Sequence, residues 1–74
     1  MNKIPNYNSP VTTNISKIAD KKGLKQRAIA ENAGLTPQAL CDAISGRRIL
    51  KISEVNNVAK ALGVEVNELF KSDD

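Results

Sequence analysis

Apolar residues recur every three or four positions along most of the chain, and short polar stretches separate these runs. This period predicts amphipathic helices, and no run alternates with the period of two that a half-buried strand requires. Four of the runs end at a glycine, the residue that most readily closes a helix in the left-handed conformation: Gly23, Gly34, Gly46 and Gly63. The sequence therefore predicts an all-α fold, a compact bundle of five short helices.

Capping signals set the expected helix bounds. Ser9-Pro10 and Thr36-Pro37 each place a good capping residue before a proline at the first helical position, so these pairs should open the first and third helices. Lys25 is a poor cap, so the second helix depends on its period alone. The expected helices span Pro10 to Lys22, Gln26 to Ala33, Thr36 to the residue before Gly46, Ile52 to Leu62 and Val66 to Phe70.

The same period assigns an inner face to each helix. In the first three helices it consists of Ile15, Ile18, Ala19, Ile29, Ala30, Ala33, Leu40, Ala43 and Ile44. In the last two it consists of Ile52, Val55, Val58, Ala59, Leu62, Leu69 and Phe70. With 74 residues the chain has room for one domain. We expect residues 1–8 to be a flexible arm, 9–70 the domain and 71–74 a frayed tail.

Composition narrows the possible functions. One cysteine and no histidine allow neither an intrachain disulfide nor a zinc site, and no pair of nucleophile and base indicates an enzyme. No cofactor, metal or small-molecule ligand is expected. No apolar run approaches a membrane span, and residues 1–10 lack the apolar core of a signal peptide, so we expect a soluble, cytoplasmic protein. A net charge of +3 permits a polyanionic partner without requiring one.

The most informative segment runs from residue 26 to residue 44. It predicts two short helices joined by a tight turn, with small Ala30 where the next helix approaches and Gly34 where the turn needs a positive φ. Ile29, Leu35 and Leu40 would fill the angle between the two helices. Two helices in this arrangement are typical of a helix-turn-helix.

From residue 15 to residue 70 the sequence resembles the Cro/CI-type, or XRE-like, helix-turn-helix regulators. The resemblance is carried by Lys22-Gly23-Leu24 with Gln26, by the Ala30 and Gly34 pair, by Ser45-Gly46-Arg47-Arg48, and by Val58 to Val64 followed by Asn67 to Phe70. It implies a lambda-repressor-like DNA-binding domain with a central helix-turn-helix. Double-stranded DNA is the implied partner, bound in its major groove by the third helix.

The resemblance also implies which residues contact bases. The N-terminal part of the third helix faces the bases in this family, which here selects Thr36, Pro37, Gln38, Cys41 and Asp42. Gln38 is the strongest candidate, because its carboxamide can form two hydrogen bonds with an adenine edge. Pro37 stands where the family often has a polar residue. Asp42 could accept from a cytosine amino group but repels phosphate.

Contacts with the DNA backbone are expected on both sides of that helix. Gln26 resembles the family residue that clamps a phosphate, and Ser45, Arg47 and Arg48 occupy positions where the family touches the backbone again. Nearby basic side chains would extend this rim. The full set is Lys25, Gln26, Arg27, Ser45, Arg47, Arg48 and Lys51. Such contacts supply salt-dependent affinity rather than sequence preference.

Each assignment has a plainer alternative. Gln26 and Gln38 could be solvated helix positions, Arg47 and Arg48 could only complement a helix dipole, and Cys41 could be a small filler.

Ile49 and Leu50 are unusual in a solvent loop. They either pack beneath the fourth helix or, with Val66 and Phe70, form a surface for a second subunit or another protein.

The leading functional hypothesis is a sequence-specific transcriptional repressor that acts as a dimer on an inverted repeat, of a size typical of phage or mobile-element regulators. Its regulation would depend on concentration, proteolysis or a partner protein. The alternative is an antitoxin or adaptor that uses the same fold to bind a protein.

Overall fold

Five α-helices follow one another along residues 10–71, which are the residues that the computed structural model describes. They are α1 (Val11–Lys22), α2 (Gln26–Asn32), α3 (Pro37–Ile44), α4 (Ile52–Leu62) and α5 (Val66–Phe70). No strand occurs within these residues, and all four glycines predicted to end helices have a positive φ, between 69° and 87°. The all-α prediction with five helices is therefore confirmed. The predicted arm at residues 1–8, the cap Ser9 and residues 72–74 lie outside the described residues.

Four helix ends differ from the expected bounds by one residue, and two of them belong to α3, where Thr36 and Ser45 are the caps and not helical residues. The carbonyl of Pro10 accepts the first helical hydrogen bond, from the Asn14 amide at 2.8 Å, so Pro10 precedes α1 instead of opening it. Helix α2 ends at Asn32, because Ala33 already belongs to the turn. Helices α4 and α5 have the predicted bounds.

A single core joins all five helices. Its largest fully buried side chains come from α1, α2, α3, α4 and α5: Ile15, Ile29, Leu40, Val58, Leu62 and Leu69. Helix α2 packs against α3 and α4, whereas α1 packs against α3, α4 and α5. The paired helices α2 and α3 thus rest on a base formed by the other three.

Two residues predicted to face this core are on the surface instead. Ile52 is 70% exposed and Phe70 is 50% exposed. Ile52 continues the apolar stripe of α4, but it is the first residue of that helix and its side chain lies in solvent. Phe70 follows fully buried Leu69, and neighbouring residues on a helix point about 100° apart, so Phe70 points away from the side on which Leu69 is buried.

Polar side chains attach α1 to the ends of α4 and α5. The Asn14 amide donates to the Leu69 carbonyl at 2.8 Å and to the Lys71 carbonyl at 2.7 Å, and the Lys22 ammonium donates to the Leu62 carbonyl at 2.9 Å. The Leu62 and Leu69 carbonyls lie in last helical turns, where no intrahelical partner exists, and Lys71 is the residue that follows α5. Asn14 therefore supports α5, a helix of five residues that is too short to be stable alone.

None of the helices in residues 10–71 is long and apolar enough to cross a membrane.

Candidate nucleic-acid interface

The turn between α2 and α3 has the tight geometry that the sequence predicted. Gly34 has φ 78°, and the Leu35 amide donates back to the Ala30 carbonyl at 2.8 Å. Ala30 has no exposed surface, which lets α3 pack closely against α2. A residue with a Cβ would be strained at Gly34 because of its left-handed backbone. The turn therefore fixes the direction in which α3 leaves α2.

Helix α3 begins with the predicted cap. The Thr36 hydroxyl oxygen accepts a hydrogen bond from the Ala39 amide at 3.0 Å, and Pro37 is the first helical residue. Since a hydroxyl has one proton and two lone pairs, Thr36 can still donate to an acceptor outside the protein. The start of α3 is thus rigid while its polar end stays available.

One face of α3 is open to solvent and the other is buried. The open face carries four exposed residues and one that is partly exposed: Thr36, Pro37, Gln38, Cys41 and Asp42. These are the five residues that the family resemblance assigns to base contacts, and all five reach solvent on α3 or at its N-cap. We call this surface the α3 face. On the opposite side Leu40 and Ala43 have no exposed surface.

Three side chains of the α3 face and its C-terminal edge form a hydrogen-bonded group. The Gln38 amide nitrogen donates to Asp42 Oδ1 at 2.9 Å, and the Arg47 guanidinium donates to the same oxygen from Nη2 at 3.1 Å and from Nε at 3.4 Å. Two hydrogen bonds lower the pKa of the Asp42 carboxyl. The bond from Gln38 has the larger effect, and the bond from Arg47 has the next largest. Asp42 is therefore ionised at neutral pH, and its charge is offset by Arg47.

The residues expected to contact phosphate lie at the edges of the α3 face. Lys25, Gln26 and Arg27 are exposed at the start of α2, where none of the described side chains caps the helix. Arg27 lies 3.7 Å from Glu31 one turn further on. After α3, the Ser45 hydroxyl donates its proton to the Cys41 carbonyl at 2.9 Å, so the side chain of Ser45 has no proton left for a phosphate.

Arg48 differs sharply from its neighbour Arg47. Its guanidinium makes a two-point contact with Glu54, from Nη1 to Oε1 at 3.2 Å and from Nη2 to Oε2 at 2.9 Å. Glu54 Oε1 also accepts from the Lys51 amide at 2.9 Å, which caps α4. Arg48 and the Lys51 amide lower the pKa of Glu54, and Glu54 in turn raises the pKa of Arg48. The two charges thus hold the loop before α4 against that helix.

The two apolar residues of this loop separate. Leu50 is 6% exposed and joins the core, whereas Ile49 is 58% exposed. Of the two alternatives for this loop, packing into the core therefore holds for Leu50, which does not lie on a partner surface, whereas Ile49 stays exposed. Val66 is half-buried. Besides Leu24, the exposed large apolar residues among residues 10–71 are Ile49, Ile52 and Phe70, which all follow α3 in the chain.

In residues 10–71 no group of three or more His, Cys, Asp or Glu side chains could hold a metal ion. The arrangement offers hydrogen-bond donors and acceptors on a rigid helix, flanked by cations, rather than a set of reactive groups. Such a surface suits recognition of a charged polymer.

The profile of the helix-turn-helix family matches residues 15–69, which is most of the chain. The chain belongs to the XRE-type helix-turn-helix family. It is accordingly a DNA-binding protein of the kind that regulates transcription. The α3 face is carried by the second helix of the helix-turn-helix, as the resemblance implied.

A solved structure supports this membership. The crystal structure of C.AhdI, a restriction-modification controller protein from Aeromonas hydrophila, is similar to this structure, and the two chains are 27% identical in sequence. It superposes with a TM-score of 0.76 over 81% of this chain and 91% of that chain. No curated protein sequence matches the chain at a significant level.

Sequence reasoning missed two groups that shape the site. The Gln38–Asp42 hydrogen bond had a signal, because glutamine and aspartate four residues apart on a helix are neighbours. The Arg48–Glu54 pair had a weaker one, an acidic residue in the first turn of α4. A glutamate at that position often accepts from the backbone of the capping residue, but which arginine would join it depended on the path of the loop.

Proposed function

We propose that this helix-turn-helix regulator is a cytoplasmic transcriptional repressor that binds an inverted repeat as a dimer. The observation that supports the proposal is the α3 face, where every residue expected to contact bases is exposed or partly exposed on α3 or at its N-cap. A helix about 10–12 Å in diameter fits the major groove, which is about 12 Å wide. The similarity to C.AhdI, a controller protein, supports a regulatory role.

Base recognition is assigned to the N-terminal half of α3. Gln38 provides both a donor and an acceptor, which matches the N7 and N6 positions of adenine. The Thr36 hydroxyl proton can reach a base or phosphate acceptor, and Pro37 can contact a thymine methyl group. Cys41 contributes a small exposed contact one turn beyond Pro37.

Affinity is assigned to cations at both ends of the face. Lys25, Gln26 and Arg27 would contact the DNA backbone beside α2, and Arg47 and Lys51 beside the loop after α3. Arg47 is 67% exposed at its side chain, so it can exchange Asp42 for a phosphate. Arg48 is 34% exposed and bound to Glu54, so we assign it to holding the loop. The Ser45 amide and hydroxyl both donate to the Cys41 carbonyl at 2.9 Å, so Ser45 would contact phosphate only after one of these bonds is given up.

The dimer is assigned to the exposed apolar residues. Ile49 and Ile52 flank the start of α4, and Phe70 ends α5. Three large apolar side chains on the surface of so small a domain favour association. In a two-fold symmetric dimer each residue would meet the same patch of the partner, and the two α3 helices would lie about 34 Å apart, one turn of DNA.

The same apolar residues support a second candidate function. If they bind a different protein, the chain would act as an antitoxin or adaptor on this fold. Light scattering of the purified protein separates the two, because a repressor of the proposed kind is a dimer at micromolar concentration, whereas an adaptor without its partner is a monomer.

Selection of binding sites from random double-stranded DNA at about 100 mM salt tests the proposal. We expect enrichment of an inverted repeat whose half-sites are one helical turn apart. The variant Gln38→Ala, carried through the same selection, should lose preference at one base pair in each half-site. Absence of any enriched sequence with the unaltered protein would refute the repressor proposal, and enrichment of a single unrepeated site would refute its dimeric form.

A further inference from the structure

Asp42 places a negative charge on a surface that must approach phosphate groups. Its carboxylate lies on the α3 face and accepts from both Gln38 and Arg47 through one oxygen, Oδ1. An unpaired carboxylate there would weaken attraction to DNA of any sequence. The charge therefore opposes binding unless the carboxylate has a compensating role.

That role follows from the chemistry of the Gln38 carboxamide. A glutamine side chain can present its oxygen or its nitrogen to a neighbour, and the two arrangements differ by a rotation of half a turn. An ionised carboxylate only accepts hydrogen bonds, so Asp42 holds the nitrogen and turns the Gln38 oxygen away. The pairing at 2.9 Å thus allows one of the two arrangements.

The arrangement that remains matches one base. The Gln38 nitrogen has a second proton after it donates to Asp42, and the free oxygen is an acceptor. Adenine offers N7 as an acceptor and N6 as a donor on its major-groove edge, and it is the base that glutamine binds in a two-point contact. A freely rotating carboxamide would instead tolerate other bases, and fixing it would also cost less entropy on binding.

We propose that Asp42 is a positioning residue that fixes the Gln38 carboxamide so that Gln38 selects adenine. Arg47 offsets the Asp42 charge in the free protein and is released towards a phosphate when DNA binds. The inference depends on the proposed function, because Gln38 must be the residue that reads the base. A merely structural role would make the Gln38–Asp42 bond a stabiliser of α3 without effect on sequence preference.

Asp42→Asn tests the role directly, because asparagine has the same shape but can either donate or accept, so both arrangements of Gln38 become possible. The matched control is Asp20→Asn, which removes the same charge from the exposed surface of α1. Binding is measured on the selected site and on sites with each other base at the pair that Gln38 reads. We expect the preference for adenine to fall at least about fivefold in Asp42→Asn only.

The same measurement on unrelated DNA separates the effect of the Asp42 charge on affinity from its effect on the orientation of Gln38. Asp42→Asn should bind unrelated DNA more tightly, because a negative charge beside the phosphates is gone. Asp42→Ala offers Gln38 no partner, so it should also have a weaker preference for adenine and bind unrelated DNA more tightly. An unchanged preference for adenine in both variants, with the selected site still bound, would overturn the positioning role and leave the proposed function intact.

A readout without DNA keeps the two proposals separable. In the free protein the side-chain amide resonances of Gln38 should shift as Asp42 is protonated in acid, and this shift should vanish in Asp42→Asn. If the Gln38 side-chain amide resonances do not shift when Asp42 is protonated, the inference is overturned. A protein that shows the shift but selects no DNA would instead refute the proposed function.

Discussion

Two neighbouring arginines with acidic partners hold different parts of the molecule. Arg47 pairs with Asp42 at the edge of the α3 face, where both side chains reach solvent and Asp42 also binds Gln38. Arg48 pairs with Glu54 at two points, and the Glu54 side chain is 16% exposed and also caps α4. We expect the first pair to open without loss of stability and the second to be needed for it, because the second is less exposed and also caps α4. Similar ion pairs can thus serve recognition in one place and folding in another.

The largest expected effect concerns Glu54. Glu54→Ala leaves the Arg48 guanidinium and the Lys51 amide without this carboxylate, and we expect the free energy of unfolding to fall by about 1–3 kcal/mol. Urea denaturation followed by circular dichroism measures it. The control is Glu31→Ala, which breaks the exposed contact with Arg27 and should change stability little. Equal losses of unfolding free energy in Glu54→Ala and Glu31→Ala would contradict the claim that the Arg48–Glu54 pair stabilises the fold more than an exposed pair does.

The pH dependence of stability checks the same pair. Because the folded state lowers the pKa of Glu54, the pair stabilises the protein fully above the ordinary pKa of a glutamate and loses this contribution as the pH falls through the lowered value. The stability difference between the unaltered protein and Glu54→Gln should therefore be constant near pH 7 and shrink below about pH 4. A difference that stays constant down to pH 2 would contradict this cause.

The next effect concerns the start of α3. Thr36→Ala removes the hydroxyl that caps the Ala39 amide and should lower the free energy of unfolding by about 1 kcal/mol. Thr36→Ser retains the cap and should be nearly neutral, which separates the cap from the lost methyl group. Thermal denaturation of the two variants gives the comparison. If both variants lose the same stability, the hydroxyl does not cap the helix.

The smallest expected effect is on the salt dependence of DNA binding, which should differ between variants of Arg47 and Arg48. Arg47→Ala should lower the slope of log affinity against log salt by about one, with the free energy of unfolding unchanged. Arg48→Ala should lower stability and leave the slope nearly unchanged. Lys60→Ala, which removes an exposed cation from α4, controls for net charge. A changed slope in Arg48→Ala alone would reverse the two roles.

The sequence predicted the helices well because their signals are local. Glycines end the helices, Thr36 caps α3, and the apolar period predicted the bounds of α4 and α5. The apolar period did not predict which positions of a stripe are covered by the rest of the fold. Ile52 fits the stripe of α4 as well as Val55 does, yet the first is 70% exposed and the second is 4% exposed.

The α3 face was predicted as a set of residues but not as a network. Its members follow from the family resemblance and from helical spacing. The ion pairs of Asp42 and Glu54 depend on where the loop after α3 carries Arg47 and Arg48, and in that loop Leu50 is buried in the core. Contacts such as those of Asn14 with residues 55 and 57 positions away have no local signal at all.

The most direct test of the assignment of α3 compares its glutamine with that of α2. Gln38→Ala and Gln26→Ala are measured on the selected site, on single-base variants of it and on unrelated DNA. We predict that Gln38→Ala loses preference at one base pair per half-site while its affinity for unrelated DNA is unchanged, and that Gln26→Ala weakens binding to every sequence alike. Uniform weakening by Gln38→Ala, with every base preference kept, would contradict the claim that α3 reads the bases through Gln38.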